Sequence, residues 1–387
     1  MKVVFDLYCS QPVGDILFSG GGEYTKAVFR DFSDYKPDGI ELVVCYDKDK
    51  FLDDWILALI RDRGYTTIDT KNSQDIVHYL EQLDKSEPIR FFAGLPYSYK
   101  NISFPENVVS IGTFHGLRFI EIPYDQYMHK YLFPRSDWKD YAKIVLRDKA
   151  VMRYRNSYQA SMRSFSELIT DSQHSAYSIR MNFPELMAGK KIRVFYPQTQ
   201  TYRTDIDLSA CASEGYIMMI SADRWSKNSY RGVKAIDGLY EKGLLPTTVR
   251  TRVLGGLPER IQKELKHKDR FDFLGYVSSE ELENTYRHCE IFFYPTLNEG
   301  FGNVPMEAMK YGKTCVVSAV CSLPEVYENS VYYCNPYDIM EMQNRILQAL
   351  EHKKPLEVMN KRLNEIVLRQ RQDMEAMNRL LSGETEA

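Results

Sequence analysis

No C-x-x-C pair occurs among the seven cysteines, which are scattered and odd in number: Cys9, Cys45, Cys211, Cys289, Cys315, Cys321 and Cys334. That spacing argues against a disulfide framework and against a cysteine-based zinc site, and it reads as reduced thiols in a cytoplasmic protein. No apolar run approaches the roughly 20 residues that a helix needs to cross a bilayer. The opening MKVVFDLYC is interrupted by Asp6 too early for a signal peptide. Repeats and low-complexity tracts are missing as well. So is an excess of one charge: 50 Lys and Arg against 53 Asp and Glu leave a net charge of −3, which gives a nucleic acid no overall footprint. No serine or second histidine stands in a triad-like context, so hydrolase readings have little support.

What is present is the pattern of a two-domain α/β protein. The 387 residues exceed one typical domain, and 44% hydrophobic residues suffice for two cores. Short apolar runs read as strands at Val3–Leu7, Ile40–Cys45, Ile89–Ala93, Val108–Ile111 and Ser166–Thr170 in the first half. In the second half they fall at Lys191–Tyr196, Tyr216–Ser221, Val249–Gly255, Phe271–Leu274, Ile291–Tyr294, Thr314–Ser318 and Val331–Cys334. Amphipathic stretches lie between them, and this alternation predicts parallel sheets with helices on both faces. The expected architecture is two doubly wound Rossmann-like domains facing a central cleft. The expected boundaries are 1–188 and 189–365, with a link around Asn182–Tyr202 marked by Pro184, Gly189 and Pro197. A helix over 366–387 is expected to pack back on the first domain.

The segment EIFFYPTLNEGFGNVPMEAMKYG, Glu290–Gly312, carries the most chemistry. It reads as a buried strand, a tight glycine loop and a short helix with Pro305 in its first turn. Glu299 and Glu307 flank the Gly-Phe-Gly turn, with seven residues between them. Carboxylates accept hydrogen bonds from hydroxyls, and a helix start suits an anion, so a ligand with both phosphates and hydroxyls fits. Upstream, ISADRWSKNSYRGVKAI places Arg224 and Lys227 on a loop after a strand, with Arg231 one turn into a helix as a third cation. A phosphate clamp and a solvated basic loop are both open there. Near the amino terminus, SGGGEYTKAVF puts three glycines before a helix without the dinucleotide-binding spacing, so a phosphate loop and a flexible surface loop are both open. His115 follows a strand-like run in VVSIGTFHGLR, where an imidazole can donate to a hydroxyl or oppose a developing charge; a purely structural histidine is the alternative reading there. The strings Asp47-Lys48-Asp49 and Asp205-Ile206-Asp207 read as solvated loop carboxylates and not as a metal site.

Taken in order, Arg224 and Lys227, then FLGYVSSEEL at Phe273–Leu282, then NEGFGNVPMEAMKYG, then SLPEV at Ser322–Val326 resemble the retaining glycosyltransferases of family four, which have the GT-B fold. The first half is similar more loosely, through Gly20–Gly22, His115 and LITDSQHS at Leu168–Ser175. The resemblance implies a metal-independent transfer of a sugar from a nucleoside-diphosphate sugar to a saccharide or lipid-linked saccharide, in the assembly of bacterial surface polysaccharide or glycolipid. It implies that Glu299 lies by the donor sugar's hydroxyls, that Glu307 binds the ribose diol, and that Gly300, Phe301, Gly302, Asn303 and Val304 line the sugar or diphosphate. Arg224 and Lys227 resemble the pair that neutralises the leaving diphosphate, and Tyr276 and Val277 the segment that lies on the base. His115 resembles the histidine near the reacting face of the donor sugar, and Gly21 and Gly22 the loop near the phosphates. Two features depart from the common pattern: the Arg-to-Lys gap is shorter, and Asn-Val-Pro replaces Leu-Pro after the glycine turn. A sugar-nucleotide epimerase of the same fold and a non-catalytic nucleotide-sugar-binding subunit are the alternatives.

One further region stands apart. Nine Lys or Arg and three Asp lie between Lys130 and Arg163, interleaved with Tyr131, Phe133, Trp138, Tyr141, Tyr154 and Tyr158. This reads either as a surface that docks anionic lipid, placing the protein at the inner face of the membrane, or as a helical region with a solvated basic face and core aromatics.

Overall fold

The computed structural model describes residues 1–12, 19–132, 146–198 and 206–384. They form two compact units, and the chain passes between them four times. The first unit comprises 1–117, 152–201 and 367–387, and the second comprises 118–151 and 202–366.

The first unit is built on a seven-stranded sheet, every pairing of which is parallel. Its strands are β1 (Lys2–Asp6), β2 (Glu41–Tyr46), β3 (Thr66–Asp69), β4 (Ile89–Ala93), β5 (Val108–Phe114), β6 (Glu167–Thr170) and β7 (Ile192–Val194), in the order β3-β2-β1-β4-β5-β6-β7. A parallel sheet covered on both faces needs apolar side chains at successive positions, which is why the central strands read as unbroken hydrophobic runs. Val3, Phe5, Val44, Phe92, Ile111 and Ile169 pack against Val28, Phe29 and Phe32 of the helix Gly20–Tyr35, and against Met374, Met377 and Leu381 near the carboxyl terminus. Those last three side chains lie on the helix Leu356–Ser382, one unbroken element that begins in the second unit and ends in the first.

The second unit has a six-stranded parallel sheet. Its strands are β8 (Tyr216–Met219), β9 (Arg250–Leu254), β10 (Phe271–Leu274), β11 (Ile291–Tyr294), β12 (Thr314–Ser318) and β13 (Tyr332–Cys334), in the order β10-β9-β8-β11-β12-β13. Ile217, Met219, Val253, Ile291, Phe293 and Val316 meet Val233, Ile236 and Leu239 of the helix Ser229–Glu241 and Met342 and Ile346 of the helix Ile339–Glu351. Local signals agree with this arrangement. Ser278 and Glu281 form a capping box that starts the helix Ser279–His288, and Asn72 with Asp75 does the same for Ser73–Gln82.

Three expectations are revised. The strand expected at Lys191–Tyr196 is the three-residue β7, and it extends the first sheet beside β6, so the first unit runs on past residue 188. Segment 118–151 belongs to the second unit, although it was expected within the first domain. The three glycines do not precede a helix but form its first turn, where the Ser19 side chain accepts from the Gly22 N–H.

One buried group at the end of β1 carries a testable consequence. Asp6 is 1% exposed and accepts from the Tyr99 hydroxyl at 2.8 Å and from the Cys9 N–H at 3.0 Å. Burial outweighs these hydrogen bonds and pushes its carboxyl up to about 6. The folded state thus holds this proton more tightly than the unfolded chain does. Its contribution is fully present below the unfolded value near 4 and is lost as pH rises through 6. The loss amounts to about 3 kcal/mol. Urea unfolding of the full chain should show that decline between pH 4 and 7, and Asp6→Asn should flatten it. Parallel pH profiles for the two proteins would mean that Asp6 does not titrate in this window.

Candidate active site

In an open parallel sheet, a crevice forms beyond the carboxyl ends of two neighbouring strands whose connections run in opposite directions. In the second unit these strands are β8 and β11. The loop after β8 carries Arg224 and Lys227, and the loop after β11 carries Glu299. The topology therefore brings together residues separated by more than 70 positions.

Lys227 and Glu299 meet as a buried ion pair, with Nζ to Oε1 at 2.5 Å and side-chain exposures of 6% and 10%. Lys227 also donates to the Tyr294 hydroxyl at 2.6 Å. That hydroxyl donates on to Glu299 Oε1 at 2.7 Å, and Thr296 Oγ1 donates to the same oxygen at 2.8 Å. Three donors thus converge on Oε1, and none of the described hydrogen bonds reaches Oε2. Burial opposes the charge on Glu299, but the Lys227 ammonium, the Tyr294 hydroxyl and the Arg118 charge hold its carboxyl below the usual range. Burial likewise draws the Lys227 ammonium down, against the pull of Glu299. A carboxylate so stabilised is a poor base and a poor nucleophile. Its remaining oxygen is suited to accept hydrogen bonds from ligand hydroxyls.

The loop that follows is held by its carbonyls. Ser322 Oγ donates to the Glu299 carbonyl at 3.1 Å and to the Phe301 carbonyl at 2.9 Å, and the Tyr327 hydroxyl donates to the Gly302 carbonyl. This gives the SLPEV string a physical role. Gly302 has φ +91°, and a Cβ there would come within 2.5 Å of Leu323, so the turn requires glycine twice over. Phe301 is buried, Gly300 is half-buried, and Asn303 and Val304 open the helix Val304–Met309 with Pro305 in its first turn. Glu307 lies on that helix, paired with Lys310 at 3.0 Å.

Arg224 is exposed and leads into a single 3-10 turn, Trp225–Lys227; its charge bears on both Lys227 and Tyr294. Tyr276 is exposed beside half-buried Val277, and its hydroxyl donates to Asp223 at 3.0 Å. Arg231 is not a third phosphate cation. It is 3% exposed, paired with Asp125 at 2.8 Å, and it donates to Asn228 Oδ1 at 2.9 Å. A guanidinium so engaged in a core position anchors segment 118–132 to the helix Ser229–Glu241.

The first unit gathers the other predicted residues at its own reversal of strand order, between β1 and β4. His115 Nδ1 lies 2.7 Å from Asp171 Oδ2, and Nε2 lies 2.8 Å from the Gly94 carbonyl. Both partners are acceptors, an arrangement that suits a ring with a proton on each nitrogen. Burial disfavours the imidazolium, yet the Asp171 charge and hydrogen bond, with the Gly94 carbonyl, hold it above the ordinary histidine value. Donation from Nε2 to a sugar hydroxyl would cost the Gly94 bond, so charge is what this side chain can offer. Gly21 packs where a Cβ would come within 2.5 Å of Leu95 and 3.2 Å of His115, and a Cβ at Gly22 would press on Ser19 and Ser10.

Sequence reasoning missed three contributors. Asp171 lay inside a quoted string but drew no attention as the partner of His115. Tyr294 read only as strand. Arg118 ended the histidine string without a role, although its Nε is buried with no hydrogen-bond partner among the described residues. Among the described residues, the carboxylates of the acidic strings are engaged locally. Asp47 and Asp49 are paired with Lys71 at 2.5 and 2.7 Å, Asp207 caps a 3-10 turn, and Asp205 lies outside the described residues. In the basic aromatic stretch, Lys130 pairs with Glu264 at 2.5 Å and Tyr131 and Tyr158 are buried, while 133–145 lie outside the described residues. Among the described residues no helix is long and apolar enough to cross a membrane.

Two doubly wound parallel sheets, each with its candidate residues at a reversal of strand order, define the GT-B fold of glycosyltransferases. The chain is similar over 98% of its length to sucrose-phosphate synthase of Thermosynechococcus elongatus, covering 98% of that chain, with a TM-score of 0.67 and 14% identity. It is also similar to HepE of Anabaena, solved in complex with UDP-glucose, over 99% of this chain and 98% of that one, with a TM-score of 0.61 and 14% identity. Residues 212–365, within the second unit, match the family model for glycosyl transferases group 1. A curated relative, O-antigen chain mannosyltransferase B of Escherichia coli, is 40% identical over 79 residues, which is 20% of this chain and 21% of that protein. The chain spans only 10% to 24% of the length of the curated relatives it matches.

Proposed function

We propose that the protein transfers a glycosyl group from a nucleoside-diphosphate sugar to an acceptor hydroxyl, with retention at the anomeric carbon. The observation that carries this reading is the Lys227–Glu299 pair at the β8/β11 switch point, inside the segment that matches glycosyl transferases group 1. The UDP-glucose held by HepE supports a nucleotide-sugar donor. The mannosyltransferase relative supports a hexosyl group and a saccharide or lipid-linked saccharide acceptor in surface polysaccharide assembly.

In this reading Glu299 holds the donor sugar through Oε2 and Glu307 accepts from the ribose diol, while Tyr276 and Val277 lie on the base. Phe301 to Val304 border the sugar and diphosphate, with Gly300 giving the loop room, and Gly21 and Gly22 belong to the phosphate side. Charge builds on the departing diphosphate as the glycosidic bond breaks. Arg224, which forms no ion pair among the described residues, opposes it, and Lys227 adds to the local positive potential. The phosphate so released takes the acceptor proton from the same face, which preserves configuration. His115, fixed by Asp171, adds positive charge when its ring is protonated. Side chains supply all of this neutralisation, and the reading assigns no step to a metal.

The test is a panel of UDP-, GDP- and dTDP-sugars incubated with and without saccharide acceptors. Release of nucleoside diphosphate that is slow alone and stimulated by an acceptor is the expected result, with the α or β configuration of the product matching the donor by NMR. Conversion of the sugar without any acceptor would instead identify an epimerase. Binding without turnover under every acceptor would identify a non-catalytic subunit.

A further inference from the structure

We infer that Arg118 is an additional phosphate-binding residue of the second unit, directed at the donor's sugar-proximal phosphate. This inference rests on the glycosyl-transfer reading above and deepens it.

The excursion that starts at residue 118 leaves the first unit and folds onto the second. Its opening turn, Arg118–Glu121, is docked directly on the glycine loop: Asn298 Nδ2 donates to Glu121 Oε2 at 2.6 Å, and Asn298 immediately precedes Glu299. Leu117, immediately before the turn, is fully buried. Arg118 and Glu121 stand three residues apart, so their side chains emerge on one face of the turn. Arg118 is therefore delivered to the same loop as its neighbour. It forms no ion pair among the described residues, and its Nε is buried without a hydrogen-bond partner. A buried guanidinium nitrogen left unpaired is costly to maintain, and an oxyanion is the partner its planar fork fits best.

The charges around it point the same way. Arg118 acts electrostatically on both Lys227 and Glu299. Lys227 is already engaged by Glu299, and Glu121 by Asn298. Among the described residues, Arg118 and Arg224 are thus two cations acting on the pair that no carboxylate holds. A diphosphate brings two anionic groups and meets both.

The experiment compares Arg118→Ala and Arg118→Lys with wild type in calorimetric titrations of UDP and UMP, or of the GDP and GMP pair if guanine is the base bound. Arg118→Ala should weaken the diphosphate by roughly tenfold to a hundredfold, the range for a charge-assisted hydrogen bond. The monophosphate should change far less, because the distal phosphate is what the arginine contacts. Arg118→Lys should recover part of the affinity, since the charge remains and the fork is lost. Unfolding midpoints within a few degrees of wild type show that the variants are folded. Unchanged diphosphate affinity overturns the assignment, as does an equal loss for mono- and diphosphate. Should the wild-type protein bind no nucleoside diphosphate at all, the glycosyl-transfer reading itself fails, and the Arg118 assignment fails with it.

Discussion

Replacing Lys227 alone with methionine should destabilise the second unit by about 3–5 kcal/mol, the usual consequence of stranding one member of a buried ion pair. Glu299 would keep the Tyr294 and Thr296 hydroxyls but lose the ammonium that offsets its desolvation. The double variant Lys227→Met, Glu299→Gln should recover most of that loss, because no uncompensated charge remains. Chemical denaturation of wild type and the three variants, including Glu299→Gln, completes the cycle. The pH dependence supplies a second signature. In wild type the Glu299 carboxyl lies below its ordinary value, so its stabilisation is present at neutral pH and is lost as pH falls. Without Lys227 burial dominates and raises that carboxyl, so the same site should stabilise the protein as pH falls and destabilise it as pH rises. A single variant as stable as wild type, with an unaltered pH slope, would show that the pair is energetically idle.

Arg224→Ala should leave folding nearly untouched, since the side chain is exposed, and should lower turnover by roughly 10²–10³-fold. The reason lies in timing. An interaction that strengthens as charge accumulates on the leaving diphosphate lowers the barrier more than it lowers the energy of the bound donor. The fall should therefore appear mainly in kcat, with KM for the nucleotide-sugar changing less. Arg224→Lys should lie between the two proteins. Equal turnover for wild type and Arg224→Ala would remove the leaving-group role.

Much of this fold was legible in the sequence because buried parallel strands advertise themselves. Ile89–Ala93, Phe271–Leu274, Ile291–Tyr294 and Thr314–Ser318 are observed with the bounds expected. β3, with sequence TTID, was missed because it is an edge strand with half-exposed and exposed side chains, so no apolar run marks it. β7 was placed in the wrong sheet because a three-residue strand says nothing about its neighbour; only its pairing with β6 does. At the site, Glu299 and Lys227 were identifiable by residue type and order. That they would grip each other was not, since an ion pair across 72 positions is written in the topology and not in local spacing. Arg231 misled for the same reason: a cation one helical turn beyond a basic loop looks available until Asp125, 106 positions away, is found against it.

The route of the chain through residues 118–132 separates two notions of a domain. The stretch that matches glycosyl transferases group 1, 212–365, omits it. Yet that excursion supplies the carboxylate for Arg231, the hydroxyl that accepts from the Tyr230 N–H at 2.7 Å, and the carboxylate bound by Asn298. Kinship and self-sufficiency therefore follow different borders here. A piece cut to the matched limits would carry the glycine loop and lose three of its supports, whereas one that also retains 118–132 would keep them.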